Sequence, residues 1–135
     1  MVIRSAEEFV RLRLSEDPGD YRRAANETAS VQVWKEVIER YPDVRFWVAH
    51  NKTVPLEILA ILAGDPDPKV RGMVSAKRKL TPELLTILAG DSDESVRIRV
   101  ARHARTPRSV LESLSADSWD KIRSVAAERL REIDS

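Results

Sequence analysis

The chain has 135 residues, with 23 Lys+Arg against 22 Asp+Glu, a formal net charge of +1, 42% apolar residues and no cysteine. The missing cysteine excludes a disulfide framework, a thiolate nucleophile, a cysteine zinc site and a cysteine-ligated iron–sulfur cluster. The sequence pI of about 8.1 lies below the value of about 9 that marks a dedicated nucleic-acid binder, and no apolar run approaches the ~18 residues of a membrane span.

The opening residues, Met1 to Glu8, lack an apolar signal core, so a cytoplasmic address is expected. Ser5-Ala6-Glu7-Glu8-Phe9-Val10-Arg11-Leu12 resembles Thr81-Pro82-Glu83-Leu84-Leu85-Thr86-Ile87-Leu88 further along, and reads as half of a repeat unit over 5–20. Asp17-Pro18-Gly19-Asp20-Tyr21-Arg22 parallels Asp65-Pro66-Asp67-Pro68-Lys69-Val70-Arg71 with one residue missing, and opens a divergent unit over 21–43. Three regular units follow, 44–69, 70–95 and 96–121, with a closing segment over 122–135. Val44-Arg45, Val70-Arg71, Val96-Arg97 and Ile122-Arg123 stand at a constant step of 26, and the first two regular units share 11 identical positions of 26. About one or two are expected by chance at average composition. No linker interrupts the series, which predicts one repeat domain over 1–135.

Each unit reads as two short helices. Thr81 is an expected N-cap, with Pro82 at the first helical position and Glu83 in the first turn. Leu84, Leu85 and Leu88 form the apolar stripe, and Gly90 is expected to end the helix in the left-handed conformation. Thr106-Pro107 predicts the same start one unit later. The other helix begins after Asp67-Pro68 or Asp93-Glu94 and buries Val70 with Val74, or Val96 with Val100. A helix pair of this length cannot bury its own stripe, whereas stacked neighbours make one core. The expected fold is all-α, a solenoid of two-helix repeats, closed by a charge-rich terminal helix.

Val44-Arg45-Phe46-Trp47-Val48-Ala49-His50-Asn51 and Leu59-Ala60-Ile61-Leu62-Ala63-Gly64-Asp65-Pro66-Asp67 resemble the leucine-rich repeat variant family, whose pattern is approximately V-R-x-x-V-A-x-N-P-x-T-P-x-x-x-L-x-x-L-A-x-D-P-D. The resemblance covers Val44 to about Arg123 well and Asp17 to Asp43 loosely. It implies a right-handed superhelix of α/α or α/3₁₀ repeats, related in form to HEAT repeats, and implies no particular activity. The iron–sulfur cluster of some members has no cysteines to hold it here. Where the family pattern has Asn-Pro between the two helices, only Asn51 keeps it; the next units have Lys77-Arg78-Lys79 and Arg102-His103-Ala104-Arg105.

Stacking places equivalent offsets side by side, roughly 8–10 Å apart per layer. One edge then carries Lys52, Lys77, Arg78, Lys79, Arg102 and Arg105, and the other Asp65, Asp67, Asp91, Asp93, Glu94, Asp117 and Asp120. The acidic residues precede helices, where Asp caps free N–H groups. The basic edge follows one helix and precedes the next, so the dipole argument nearly cancels there; it is either a solvated edge or a surface for an anionic partner. The offset-1 arginines Arg45, Arg71, Arg97 and Arg123, with Arg22 as their upstream equivalent, predict ion pairs to the aspartates of neighbouring units. Trp47 shares its offset with Met73, Arg99 and Val125. Trp119 takes the turn position of Asp67 and Asp93, and Gly72 lies inside a helix at a cost of about 1 kcal/mol relative to Ala.

No nucleophile elbow, P-loop, dinucleotide or zinc-protease motif is present, and His50 and His103 belong to units two apart. The acidic pairs lack the glycine and distant glutamate of an EF-hand. The sequence therefore implies no metal, no cofactor and no enzyme. The expected function is a helical-repeat scaffold or adaptor that binds another protein, with Lys52, Lys77, Arg78, Lys79, Arg102, His103, Arg105 and Trp47 as candidate contacts. The alternative is phosphate-backbone nucleic-acid binding along the same edge; neither a membrane nor a small-molecule substrate is implied.

Overall fold

The computed structural model describes residues 2–135; Met1 lies outside the described residues. Among these the chain is 68% helical, with ten α-helices, one three-residue 3₁₀ helix and no strand. It divides into two compact units, Met1–Gly64 and Asp65–Ser135. Within each, helices pack in pairs in the manner of an α-solenoid.

In the first unit, α1 (Ala6–Leu14), α2 (Pro18–Asn26) and α3 (Val31–Arg40) begin on side-chain caps. The Ser5 hydroxyl accepts from the Glu8 amide at 3.0 Å, the Asp17 carboxylate from the Gly19 amide at 3.0 Å and the Ser30 hydroxyl from the Val33 amide at 3.2 Å. Each satisfies one of the donors that a helix start leaves unpaired. α1 turns Phe9 and Leu12 inward, and the ring of Trp34 on α3 meets Phe9 edge-on at 5.1 Å, so this tryptophan is core. A 3₁₀ helix, Pro42–Val44, leads into α4 (Arg45–His50), and α5 (Leu56–Leu62) closes the unit with Ile58, Leu59 and Leu62 buried. The turn after α4 is tied to α2 by the Lys52 amide, which donates to the Ala25 carbonyl at 2.8 Å.

In the second unit the 26-residue step reappears as geometry. α6 (Pro68–Ser75), α8 (Glu94–Arg102) and α10 (Asp120–Asp134) start at that step and pack side by side as one layer, while α7 (Pro82–Ala89) and α9 (Arg108–Leu114) form the other. Val70, Val74, Leu85, Leu88, Val96, Val100, Leu111, Leu114 and Ile122 fill the space between. Thr81 caps α7 as expected, its hydroxyl accepting from the Leu84 amide at 3.2 Å.

Two local expectations are corrected. Gly90 has φ −95° and ψ 12°, and the described chain contains no residue in the left-handed region. The end of α7 closes instead through i→i+3 bonds, Gly90 N to Ile87 O and Asp91 N to Leu88 O, both 3.2 Å, the tighter turn that also serves orphan carbonyls. Thr106 does not cap α9, which starts after Pro107 with no side-chain cap. Its hydroxyl instead donates to the Val100 carbonyl at 2.6 Å, at the buried end of α8.

Candidate functional site

The acidic edge serves the fold. Asp67 and Asp93 cap α6 and α8, accepting from the Lys69 and Ser95 amides at 2.9 and 2.8 Å. Asp91 and Asp117 are each gripped by an arginine fork. Arg71 donates from Nε and Nη2 to Asp91 at 2.7 and 3.1 Å; Arg97 does the same to Asp117 at 2.8 and 3.2 Å. The remaining guanidinium nitrogen turns back to a carbonyl. Arg71 Nη1 reaches Asp65 O at 2.7 Å, Arg97 Nη1 reaches Asp91 O at 2.9 Å and Arg123 Nη1 reaches Asp117 O at 2.8 Å. Arg71 and Arg97 thus pair with an aspartate of their own 26-residue unit, not of a neighbouring one as expected, and reach the preceding unit through the carbonyl of the turn before their helix. Burial pushes the Asp117 carboxyl up, but the Arg97 fork, the Trp119 amide and the charges of Arg97 and Arg123 outweigh it, so it sits below its ordinary value. The hydrogen-bonded fork also raises Arg71 and Arg97.

Arg45 donates from Nε to the Ile38 carbonyl at 2.7 Å. In the divergent unit Arg23, not Arg22, pairs with an acid, at 2.8 Å to Glu27 one turn along. Arg22 is left exposed.

A second device sits at offset 7. Asn51 is fully buried; its amide donates to the Ala24 and Glu27 carbonyls at 2.7 and 3.0 Å, and its oxygen accepts from the Thr53 amide at 2.8 Å. His103 does the same work with a ring. Nε2 lies 2.6 Å from the Lys77 carbonyl and Nδ1 accepts from the Arg105 amide at 3.0 Å. These partners assign the neutral Nε2–H tautomer. His103, one of the sequence candidates, therefore has both ring nitrogens committed to joining its repeat to the preceding one.

The remaining candidates collect around two cavities, one in each unit. In Asp65–Ser135 a concavity of about 450 Å³ is lined by Arg78, Arg99, Arg102 and Arg105 over walls that include Ala76 and Ala104, with no carboxylate in the lining. All four arginines are exposed, and none forms an ion pair among the described residues. Helix-end carbonyls do not explain them. The Ala101 and His103 carbonyls receive Arg129 Nη1 from α10 at 2.7 and 2.9 Å, and Val100 O receives Thr106. Lys77 and Lys79 flank this turn, are half-buried and take part in further contacts.

In Met1–Gly64 Trp47 and Lys52 line a cavity of about 350 Å³ together with Arg13, Tyr21, Arg22, Asn26 and His50. The Arg13 guanidinium lies 3.4 Å from the centroid of the Trp47 ring and 4.9 Å from that of Tyr21. Trp47 also meets Phe46 and His50 edge-on, at 4.9 and 5.4 Å. Arg13, Tyr21, Arg22 and Arg99 were missed as candidates. A signal existed for the last: offset 3, Trp47 in one unit and Arg99 in another, is the position that faces a cavity in both. Arg13 and Tyr21 belong to the irregular N-terminal units, where no offset carries over.

The repeat spacing, the paired helices and the Asn51 staple converge on one comparison. Residues 42–67 match the family model of the leucine rich repeat variant. The matched repeat opens on the 3₁₀ helix, includes Trp47, Asn51 and Lys52, and ends on the Asp67 cap. No curated protein and no solved structure matches the chain. Among the described residues, no helix is long and apolar enough to cross a membrane, and no group of three or more His, Asp or Glu side chains is placed to hold a metal ion.

Proposed function

We propose that the chain is a non-catalytic helical-repeat scaffold that binds an acidic surface of another protein, in the cytoplasm, through the cationic concavity of Asp65–Ser135. The observation that carries this reading is the contrast within one unit. Arg71 and Arg97 are matched to carboxylates and carbonyls by four and three hydrogen bonds. Arg78, Arg99, Arg102 and Arg105 gather over apolar walls with no intramolecular acid. Four like charges held together raise the local potential and cost stability unless a partner neutralises them, and arginine forks over apolar walls suit carboxylates at a protein interface. Lys77 and Lys79 extend the same field.

The test replaces Arg78, Arg102 and Arg105 together by Glu. A partner bound by the wild-type chain in a lysate, identified by mass spectrometry and lost with the reversed chain at unchanged thermal stability, supports the reading; capture that is indifferent to reversal overturns it. The same edge favours a second reading, phosphate-backbone binding to nucleic acid, because the lining carries no acid. Retention on a DNA column at low salt, released with a steep log–log salt slope, selects that reading over the first.

A further inference from the structure

We propose that the cavity between α1, α2 and α4 binds a phosphate monoester on an organic carrier, with Arg13, Arg22 and Lys52 as the cationic contacts. This site uses none of the residues of the arginine concavity, so it stands or falls independently of the reading above.

Three observations carry it. The lining holds Arg13, Arg22 and Lys52 and no carboxylate, giving three permanent positive charges. α1, α2 and α4 end at this region, with Arg13, Asn26 and His50 in their last turns. Roughly half a negative charge for each such terminus still leaves the cavity positive by about one to two, which suits a phosphate monoester.

The second observation is Arg13 itself. Its guanidinium lies over the Trp47 ring and beside that of Tyr21, it forms no ion pair among the described residues, and its Nε is buried without a hydrogen-bond partner. A guanidinium nitrogen buried unpaired costs free energy until an acceptor arrives. Stacking on the indole removes rotamer freedom beforehand, so less is lost when a bidentate oxyanion binds.

The third is size. A bare phosphate fills only part of about 350 Å³, and Tyr21, Trp47, Ala24 and Ala25 offer apolar wall to whatever carries the phosphate. A phosphorylated side chain and a nucleoside monophosphate share this chemistry.

The experiment is an ¹H–¹⁵N titration of the full chain with phenyl phosphate at physiological salt, following the three tryptophan indole N–H signals. A saturable shift at Trp47, with a dissociation constant of about 1 mM or tighter and no shift at exposed Trp119, is expected. Arg13→Met weakens it about tenfold and Lys52→Ala about threefold. Titrations with a phosphoserine peptide and with adenosine 5′-monophosphate then assign the carrier by which binds tighter. A Trp47 signal that stays unsaturated or unmoved overturns the proposal, as does unchanged affinity in Arg13→Met. Should Arg13→Met lose its fold, exposed Arg22→Ala and Lys52→Ala decide: a loss in both supports the site, and a loss in neither overturns it.

Discussion

Replacing Arg97 by Met keeps most of the aliphatic stem and removes the fork on Asp117. Two N–H donors vanish from a carboxylate whose side chain is 7% exposed, and a third from the Asp91 carbonyl, while Asp117 retains the Trp119 amide at 2.9 Å. A solvent-exposed pair is worth about 0.2–1 kcal/mol, whereas breaking a buried one costs about 3–5 kcal/mol. With side chains 14% and 7% exposed, the pair belongs between the two ranges, just below the buried one once the surviving amide is counted, at about 2–3 kcal/mol. At roughly 3–5 °C per kcal/mol for a chain of this size, Tm falls by about 6–15 °C. Asp117→Asn costs less than Arg97→Met, since the amide oxygen still accepts from Trp119, and the double variant is less destabilised than the two singles summed, with a coupling of about 1–2 kcal/mol. Thermal and urea unfolding followed by circular dichroism measure all three. A loss below about 0.5 kcal/mol in Arg97→Met, or strict additivity, refutes the view that the arginine–aspartate fork braces its repeat.

The same pair sets an acid dependence. The folded Asp117 carboxyl sits below its ordinary value of 3.8, so the unfolded chain binds the proton more tightly. Its contribution is complete above that ordinary value and is lost as pH falls through the lower folded one. In Arg97→Met, burial acts unopposed by the fork and raises the carboxyl, so the stability gap between the two proteins narrows as pH drops from about 5 to 3; a constant gap counts against this account. Gly72→Ala should stabilise by about 0.5–1 kcal/mol, because a Cβ there meets Arg99 Nε at an ordinary 3.7 Å; a lower Tm contradicts it. Asn51→Ala strands the buried Ala24 carbonyl and the Thr53 amide, while Glu27 O keeps the Thr53 hydroxyl, and should cost about 2–3 kcal/mol, which urea unfolding checks against near-neutral Lys52→Ala.

The helical period, the Thr81 and Asp caps and the pairing of Arg71 and Arg97 with aspartates, though not the unit those aspartates belong to, were readable from the sequence for a common reason. Each depends on a residue type at a fixed separation, so repetition multiplies the signal. What escaped the reading depends on local backbone choices that several residues share. Gly90 and Thr106 have alternative ways to close a helix, through i→i+3 bonds or a hydroxyl turned inward, and composition does not choose between them. Arg23 rather than Arg22 is paired because it stands one helical turn before Glu27, an i,i+4 contact that the repeat offset does not encode. The basic residues taken as one edge separate into two sets, since Lys52 and Trp47 line a cavity built by α1 and α2, elements whose register the regular repeat does not predict.

Offset 7 frees its neighbours in two of the three regular repeats. There the side chain gives one hydrogen bond to the preceding repeat and accepts one from the amide two residues on. Asn51 does so with its carboxamide and His103 with its imidazole. Once a single side chain has satisfied the turn, the residues beside it are released from structural duty. In the matched repeat one of the released positions is Lys52; beside His103 they are Arg102 and Arg105, whose charges meet no acid in the cavity they line. A turn that required those charges for folding would hold them against a carboxylate or a helix-end carbonyl, as Arg97 and Arg129 are held. The arginines of the concavity are held by neither, and so their charges are available to a partner.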